Sequence, residues 1–158
     1  MNILAVIIMG SPSDQPIGDE LRDDLEALGI PVEIRIASAH KTPAYLLTML
    51  ESYEEDPRAK VYITIAGRSN ALSGMVDAAV SAPVIACPPY SDKFAGADIY
   101  SSLRTPSGVA PAVVLSPGNA ALLATKMLAL AEPNLREAVR ASQHANHERV
   151  TQADQANR

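Results

Sequence analysis

The chain has 158 residues, 47% of them apolar, 20% charged and 4% aromatic, with a formal net charge of −5. That balance is ordinary for a globular domain large enough to bury its own core. An acidic chain with no basic run and no Trp excludes nucleic-acid binding through phosphate-backbone contact or base stacking; lone Cys87 excludes an internal disulfide framework, and no stretch nears the roughly 20 apolar residues of a membrane span.

Residues 3–9 are a continuous apolar run bounded by Gly10, the pattern of a strand covered on both faces. The run lacks a basic leading region and a cleavage-like end, so it is read as the first strand and not as a signal peptide. A reduced, cytoplasmic protein is the expectation. Ile17, Leu21, Leu25 and Leu28 follow at helical spacing, with Asp14 placed to cap the first turn and Gly29 and Pro31 to stop the helix. Residues 32–37 read as a second strand. Leu46, Met49, Leu50 and Tyr53 trace one face of a second helix begun near Pro43.

Lys60 to Ala66 is a third strand, ending in Gly67-Arg68-Ser69-Asn70, and residues 70–81 suit a helix packed closely on a sheet. Residues 83–87 and 111–115 read as fourth and fifth strands, with a short helix between them from Phe94 to Leu103. Asn119 to Ala131 is apolar nearly all round, as a helix buried on several sides would be. From Pro133 the pattern turns polar, a tail expected to be helical at first and frayed by its end. Residues 1–158 thus read as one domain with a helical tail from about 133. Repeated βα units predict a three-layer α/β/α sandwich on a parallel sheet, for which a flavodoxin-like strand order is expected.

In such a sheet the turns after the strands share one edge, where ligands bind. Gly10-Ser11-Pro12-Ser13-Asp14 offers N–H groups and hydroxyls that suit phosphate oxygens, and a carboxylate that suits sugar hydroxyls. Taken alone, Ser13 or Asp14 fits a helix cap equally well. Ser38-Ala39-His40-Lys41-Thr42-Pro43 adds a hydroxyl, a fixed cation and the one histidine outside the tail, a side chain able to take and give a proton near neutral pH. A turn histidine bonded to backbone is the plainer alternative. The third turn brings Arg68, Ser69 and Asn70, suited to a carboxylate and a heterocycle, or else to a surface turn. Three donor-rich turns on one edge are the signal. His144, His147 and Glu148 sit at helical spacing and read as a solvated face rather than a metal site, and Cys87 as a small packed hydrophobe. No Walker loop, dinucleotide fingerprint or zinc-type spacing is present, so neither a cofactor nor a metal is expected.

Over about Ile3 to Leu130, with Met9–Asp14 and Ser38–Pro43 as its most specific motifs, the chain resembles the phosphoribosylaminoimidazole carboxylases of de novo purine synthesis. One branch of that family is a mutase acting on a preformed carbamate, with a Gly-rich third turn that carries a histidine. Here the corresponding stretch, Ala66 to Met75, is shorter and has none. Together with Cys87-Pro88-Pro89, Ser101-Ser102-Leu103-Arg104-Thr105-Pro106-Ser107-Gly108 and Leu115-Ser116-Pro117, it resembles the branch that takes carbon dioxide directly. The resemblance implies that Ser11, Ser13, Ser38 and Lys41 hold the 5′-phosphate of 5-aminoimidazole ribonucleotide (AIR) and Asp14 its ribose hydroxyls. It implies that Arg68, Ser69 and Asn70 close on the ring and the new carboxylate, and that His40 shuttles the proton. It also implies a homo-oligomer, an octamer, and the small apolar helix near 119–131 and the Pro-rich 104–117 segment are compatible with burial between subunits. The mutase activity and a non-catalytic nucleotide-binding flavodoxin-like module are the rival readings.

Overall fold

The opening apolar run is divided by its own pleat. In a strand, successive side chains point to opposite faces, so in strand β1 (Ile3–Met9) the residues Ile3, Ala5, Ile7 and Met9 enter one core while Leu4, Val6 and Ile8 enter another. All seven are at most 1% exposed, which is why the run is unbroken rather than alternating. The computed structural model describes residues 2–157; Met1 and Arg158, the ends of the expected 1–158 domain, lie outside the described residues.

β1 pairs in parallel with β2 (Val32–Ile36) on one side and β3 (Ala59–Ile65) on the other, and β4 (Val84–Ala86) and β5 (Ala112–Val113) complete the sheet. The strand order is β2-β1-β3-β4-β5, all parallel, with helices on both faces: the expected flavodoxin-like arrangement. The registers Met9↔Ile36 and Met9↔Ile65 end three adjacent strands at one level, so their following turns emerge side by side.

Helices α1 (Gln15–Ala27), α5 (Pro117–Leu128) and α6 (Leu135–Ala156) cover one face through Leu21, Leu25, Ala121, Ala124, Leu128 and Leu135. Helices α2 (Pro43–Glu54) and α3 (Ala71–Ala79) cover the other through Leu46, Met49, Leu50, Tyr53, Leu72 and Val76. α1 stops as expected at Gly29, whose φ of 82° suits glycine; the Gly29 N–H bonds Glu26 O and the Ile30 N–H bonds Leu25 O, closing the last turn. A short helix α4 (Tyr100–Leu103) follows an irregular turn in which Phe94, Ala95 and Gly96 are all left-handed, in place of the continuous helix expected from 94 to 103.

Two expectations are corrected. Asp14 holds the N-cap position of α1 but makes no side-chain capping bond; the cap is made one turn earlier by Ser11, whose Oγ accepts the Ser13 N–H of the 3-10 turn Pro12–Asp14. The tail does not fray early: α6 runs unbroken for 22 residues, anchored by buried Leu135 and Val139 and carried further by Ala, Gln, Glu and Arg, all good helix formers. In the helix near 119–131, Ala120, Ala121 and Ala124 are fully buried against its own sheet and α1.

Candidate active site

The turns after β1, β2, β3 and β4 surround one cleft of about 730 Å³ at the carboxyl edge of the sheet, within the size range of small-molecule sites. Ser11, Ser13, Asp14, Ser38, His40, Lys41, Arg68 and Ser69 all line it.

The first turn is preset. The Gly10 N–H donates to Ile65 O at 2.9 Å, tying the end of β1 to β3, and Ser11 Oγ meets Ser13 Oγ at 2.8 Å while accepting the Ser13 N–H at 3.2 Å. Two hydroxyls are thus held together at the cleft. Asp14 makes no capping bond, so its carboxylate is not consumed by the helix it precedes. Burial pushes its pKa up, against the opposing effect of a backbone hydrogen bond at Ser11.

The second turn is closed by Thr42. Its Oγ1 accepts the Ser38 N–H at 2.9 Å and donates to Ser38 O at 3.2 Å, and the Lys41 N–H bonds Ser38 Oγ at 3.2 Å. This local lock puts His40 and Lys41 at an exposed tip. Unlike a turn histidine bonded to backbone, the His40 ring makes no hydrogen bond within the described residues, and both its nitrogens stay open to a ligand.

The third turn is the strained one. Arg68 sits at φ 60°, a left-handed conformation that costs a non-glycine residue about 1–2 kcal/mol. Asn70, two residues on, keeps an ordinary negative φ of −80°. The Arg68 guanidinium has no partner among the described residues. Asn70 does not join the cleft. Only 4% exposed, it caps α3, its Oδ1 accepting the Ser73 N–H at 3.2 Å while its Nδ2 donates to Ser102 Oγ at 3.0 Å. An Asn immediately before an apolar helical run is a cap signal, and here the cap consumes the side chain expected at the heterocycle.

Pro89, Ser91 and Lys93 also line the cleft and are absent from the sequence-based set. They follow β4, and the rule that places the other three turns at this edge applies equally to a fourth. Gly67 permits the approach: a Cβ there would meet Pro89 Cγ at 3.1 Å. With Lys93, the lining carries three full cations, Lys41, Arg68 and Lys93, against the single carboxylate of Asp14. On a chain of net charge −5, that inversion selects an anionic ligand.

The remaining candidates stay outside. His144 Nδ1 pairs with Glu148 Oε2 at 3.5 Å on an exposed face of α6, and among the described residues no three His, Cys, Asp or Glu gather as a metal set. Burial pushes the Cys87 thiol up to about 11, which leaves it protonated and packed as expected. No helix among the described residues is long and apolar enough to cross a membrane.

A family model for AIR carboxylase matches residues 4–149. The phosphoribosylaminoimidazole carboxylase of Treponema denticola is 50% identical over 154 residues, spanning 98% of this chain and 97% of that protein. The protein of the same name from Archaeoglobus fulgidus is 52% identical over 151 residues, 96% of this chain and 83% of its own length. A Drosophila melanogaster bifunctional phosphoribosylaminoimidazole carboxylase and succinocarboxamide synthetase is 40% identical over 127 residues, covering 80% of this chain and 30% of that longer one. The crystal structure of Treponema denticola PurE superposes with a TM-score of 0.96 at 49% identity, over 98% of both chains.

Proposed function

We propose that this chain, which belongs to the AIR carboxylase family, adds carbon dioxide directly to C4 of the aminoimidazole ring of AIR, with His40 moving the proton. Carboxylation of this ribonucleotide in purine biosynthesis is the activity that membership carries. The proposal includes the direct use of carbon dioxide, the residue roles and a single carboxylase domain over residues 1–158.

The observation that carries the reading is the convergence of His40, the Ser11–Ser13 hydroxyl pair, Lys41 and Arg68 on one cation-rich cleft. Ser11, Ser13, Ser38 and Lys41 suit the 5′-phosphate, with Lys93 as a further cation, and Asp14 suits the ribose hydroxyls. Arg68 and Ser69 face the ring and the forming carboxylate.

The chemistry follows from the substrate's own electrons. The amino group makes ring carbon C4 nucleophilic, as in an enamine. The C4 electron pair attacks the carbon of carbon dioxide, a C–C bond forms, and one C=O π pair moves onto oxygen to give the carboxylate. C4 then holds both hydrogen and carboxylate, and the ring bears the positive charge. His40 takes the C4 proton, the C–H electrons return to the ring, and aromaticity is restored. In reverse, imidazolium His40 protonates C4 and carbon dioxide leaves. Orientation of the partners in a fixed site can supply roughly 7–11 kcal/mol of the barrier, and Arg68 supplies charge where the carboxylate develops.

Two features favour carbon dioxide over a carbamate substrate: the short third turn without a histidine, and the match to bifunctional animal carboxylases. Turnover of AIR with bicarbonate, which supplies carbon dioxide, is the deciding assay. Product from AIR and bicarbonate supports the reading, and product from the carbamate isomer alone assigns the chain to the mutase. Exposed Tyr90, Phe94, Tyr100 and Leu103, close in sequence to the cleft residues Ser91 and Lys93, support a homo-oligomer, proposed as an octamer. Light scattering showing a monomer at micromolar concentration would remove that part of the proposal.

A further inference from the structure

The strained third turn is held from a distant part of the chain. Asp98 Oδ2 accepts the Arg68 N–H at 3.2 Å across 30 residues. Ser101 Oγ lies 2.9 Å from Arg68 O and accepts the Asn70 N–H at 3.0 Å. The single hydroxyl proton of Ser101 is shared between Arg68 O and its own segment's Asp98 O, 2.8 Å away. Behind them, Ser102 Oγ accepts from Asn70 Nδ2 at a buried position. Both backbone groups of Arg68, and the N–H two residues later, are therefore tied to one short stretch, 98–102.

A non-glycine residue keeps a left-handed backbone only where its surroundings over-determine it. These bonds are such surroundings. Asp98 and Ser101 are not among the residues lining the large cleft; they line a smaller, adjoining cavity of about 230 Å³. Gly67, Arg68, Pro89 and Ser91 line both cavities. Of these four, Arg68 is the one bonded to both Asp98 and Ser101, so their direct link to the large cleft runs through its turn.

We infer that Asp98 and Ser101 are positioning residues for the carboxylation: they brace the Arg68 backbone so that its guanidinium is presented to the forming carboxylate. The inference rests on the role given to Arg68 under the proposed function. Misplacing a reacting partner by about 1 Å costs up to about 100-fold in rate.

The test compares Asp98→Ala and Ser101→Ala with wild type in two measurements, steady-state turnover of AIR with bicarbonate and amide hydrogen exchange of the 66–71 stretch. Each variant is expected to lower kcat about 10- to 100-fold with the KM for ribonucleotide within about twofold, and to speed exchange at Arg68 and Asn70 while β1 stays protected. Asp98→Asn, which keeps an acceptor oxygen, is expected to bring turnover back to within about threefold of wild type. In an Arg68→Ala background, adding Asp98→Ala is expected to change kcat by less than twofold. Unchanged exchange, a loss confined to KM, or the same kcat loss with and without Arg68 would each overturn the brace. Wild-type protein that fails to carboxylate AIR would overturn the functional reading instead, and the exchange measurement would still decide the brace.

Discussion

The two ends of this sheet carry similar side chains and use them in opposite ways. At the amino end, Arg58 holds Asp56 at 2.6 Å and Glu33 at 3.1 Å, and the Tyr53 hydroxyl donates to Glu33 at 2.7 Å; further along β2, Arg35 donates to Tyr53 and Tyr45 at 3.2 Å. Lys60 is held by backbone carbonyls of Asp56 and Arg58, and Glu54 accepts from Tyr62 and Ser81. Each of these side chains has a partner. At the carboxyl end, the side chains of His40, Lys41, Arg68 and Lys93 converge on one cleft and have no partner among the described residues. Charges that satisfy one another hold the fold, whereas charges gathered and left open await a ligand.

The sharpest way to break that contrast is to remove one group from each end and ask what changes. His40→Asn should lower carboxylation at least about 1,000-fold, within the span of general acid–base catalysis. Ribonucleotide affinity by calorimetry should stay within about threefold, and thermal stability should not move. Equal loss of binding would return His40 to a merely structural part. Lys41→Ala should raise the KM for AIR about 10- to 100-fold with kcat little altered, the range expected for one charge-assisted phosphate contact of about 1.5–3 kcal/mol. A fall in kcat alone would remove Lys41 from the phosphate.

The amino end should answer in stability and not in rate. Hydrogen bonds from Arg58 hold the Asp56 carboxyl down at about 2, whereas in the unfolded chain it titrates near 4. As pH falls from about 4 towards 2 the unfolded chain takes up a proton that the folded one does not, so stability present above pH 4 is lost across that window. Asp56→Asn should flatten this acid limb in pH-dependent unfolding curves and leave kcat/KM at neutral pH unchanged. An unaltered limb would show that the pair contributes nothing measurable. The smallest effect should come from Tyr53→Phe. It removes the hydroxyl that links Glu33 to Arg35 and should cost about 1 kcal/mol in denaturant unfolding, with turnover unaffected.

The elements and the outline of the cleft are legible in the chain before any coordinates; the amino-end ion pairs are not. The apolar run 3–9, the Gly29 stop and the Leu46–Tyr53 stripe mark their elements because strand and helix periods are local properties. The cleft is legible in outline because βα turns of a parallel sheet share one edge, which brings Ser11, His40 and Arg68 together without knowledge of side-chain positions. What escapes is long-range or competitive. Asn70 is consumed by the α3 cap and Ser102, and nothing local signals a partner 32 residues away. The braces from Asp98 and Ser101 to Arg68 span 30 and 33 residues. The left-handed Phe94–Gly96 turn breaks the helical pattern at residues of which only Gly96 takes positive φ readily, and the long reach of α6 reflects good helix formers where a polar tail suggests fraying. Lys93 is missed for a simpler reason: the edge rule stops at three turns when the sheet has four to offer.

In the proposed mechanism, an imidazole on the β2 turn exchanges a proton with C4 of a ribonucleotide anchored by its neighbours. The most direct measurement is decarboxylation of 4-carboxy-AIR in deuterated water, followed by NMR at C4. Wild-type protein should release AIR carrying deuterium at C4, and His40→Asn should bind the carboxylated ribonucleotide yet release neither carbon dioxide nor labelled AIR. Decarboxylation by His40→Asn at the wild-type rate, with label still entering C4, would contradict it.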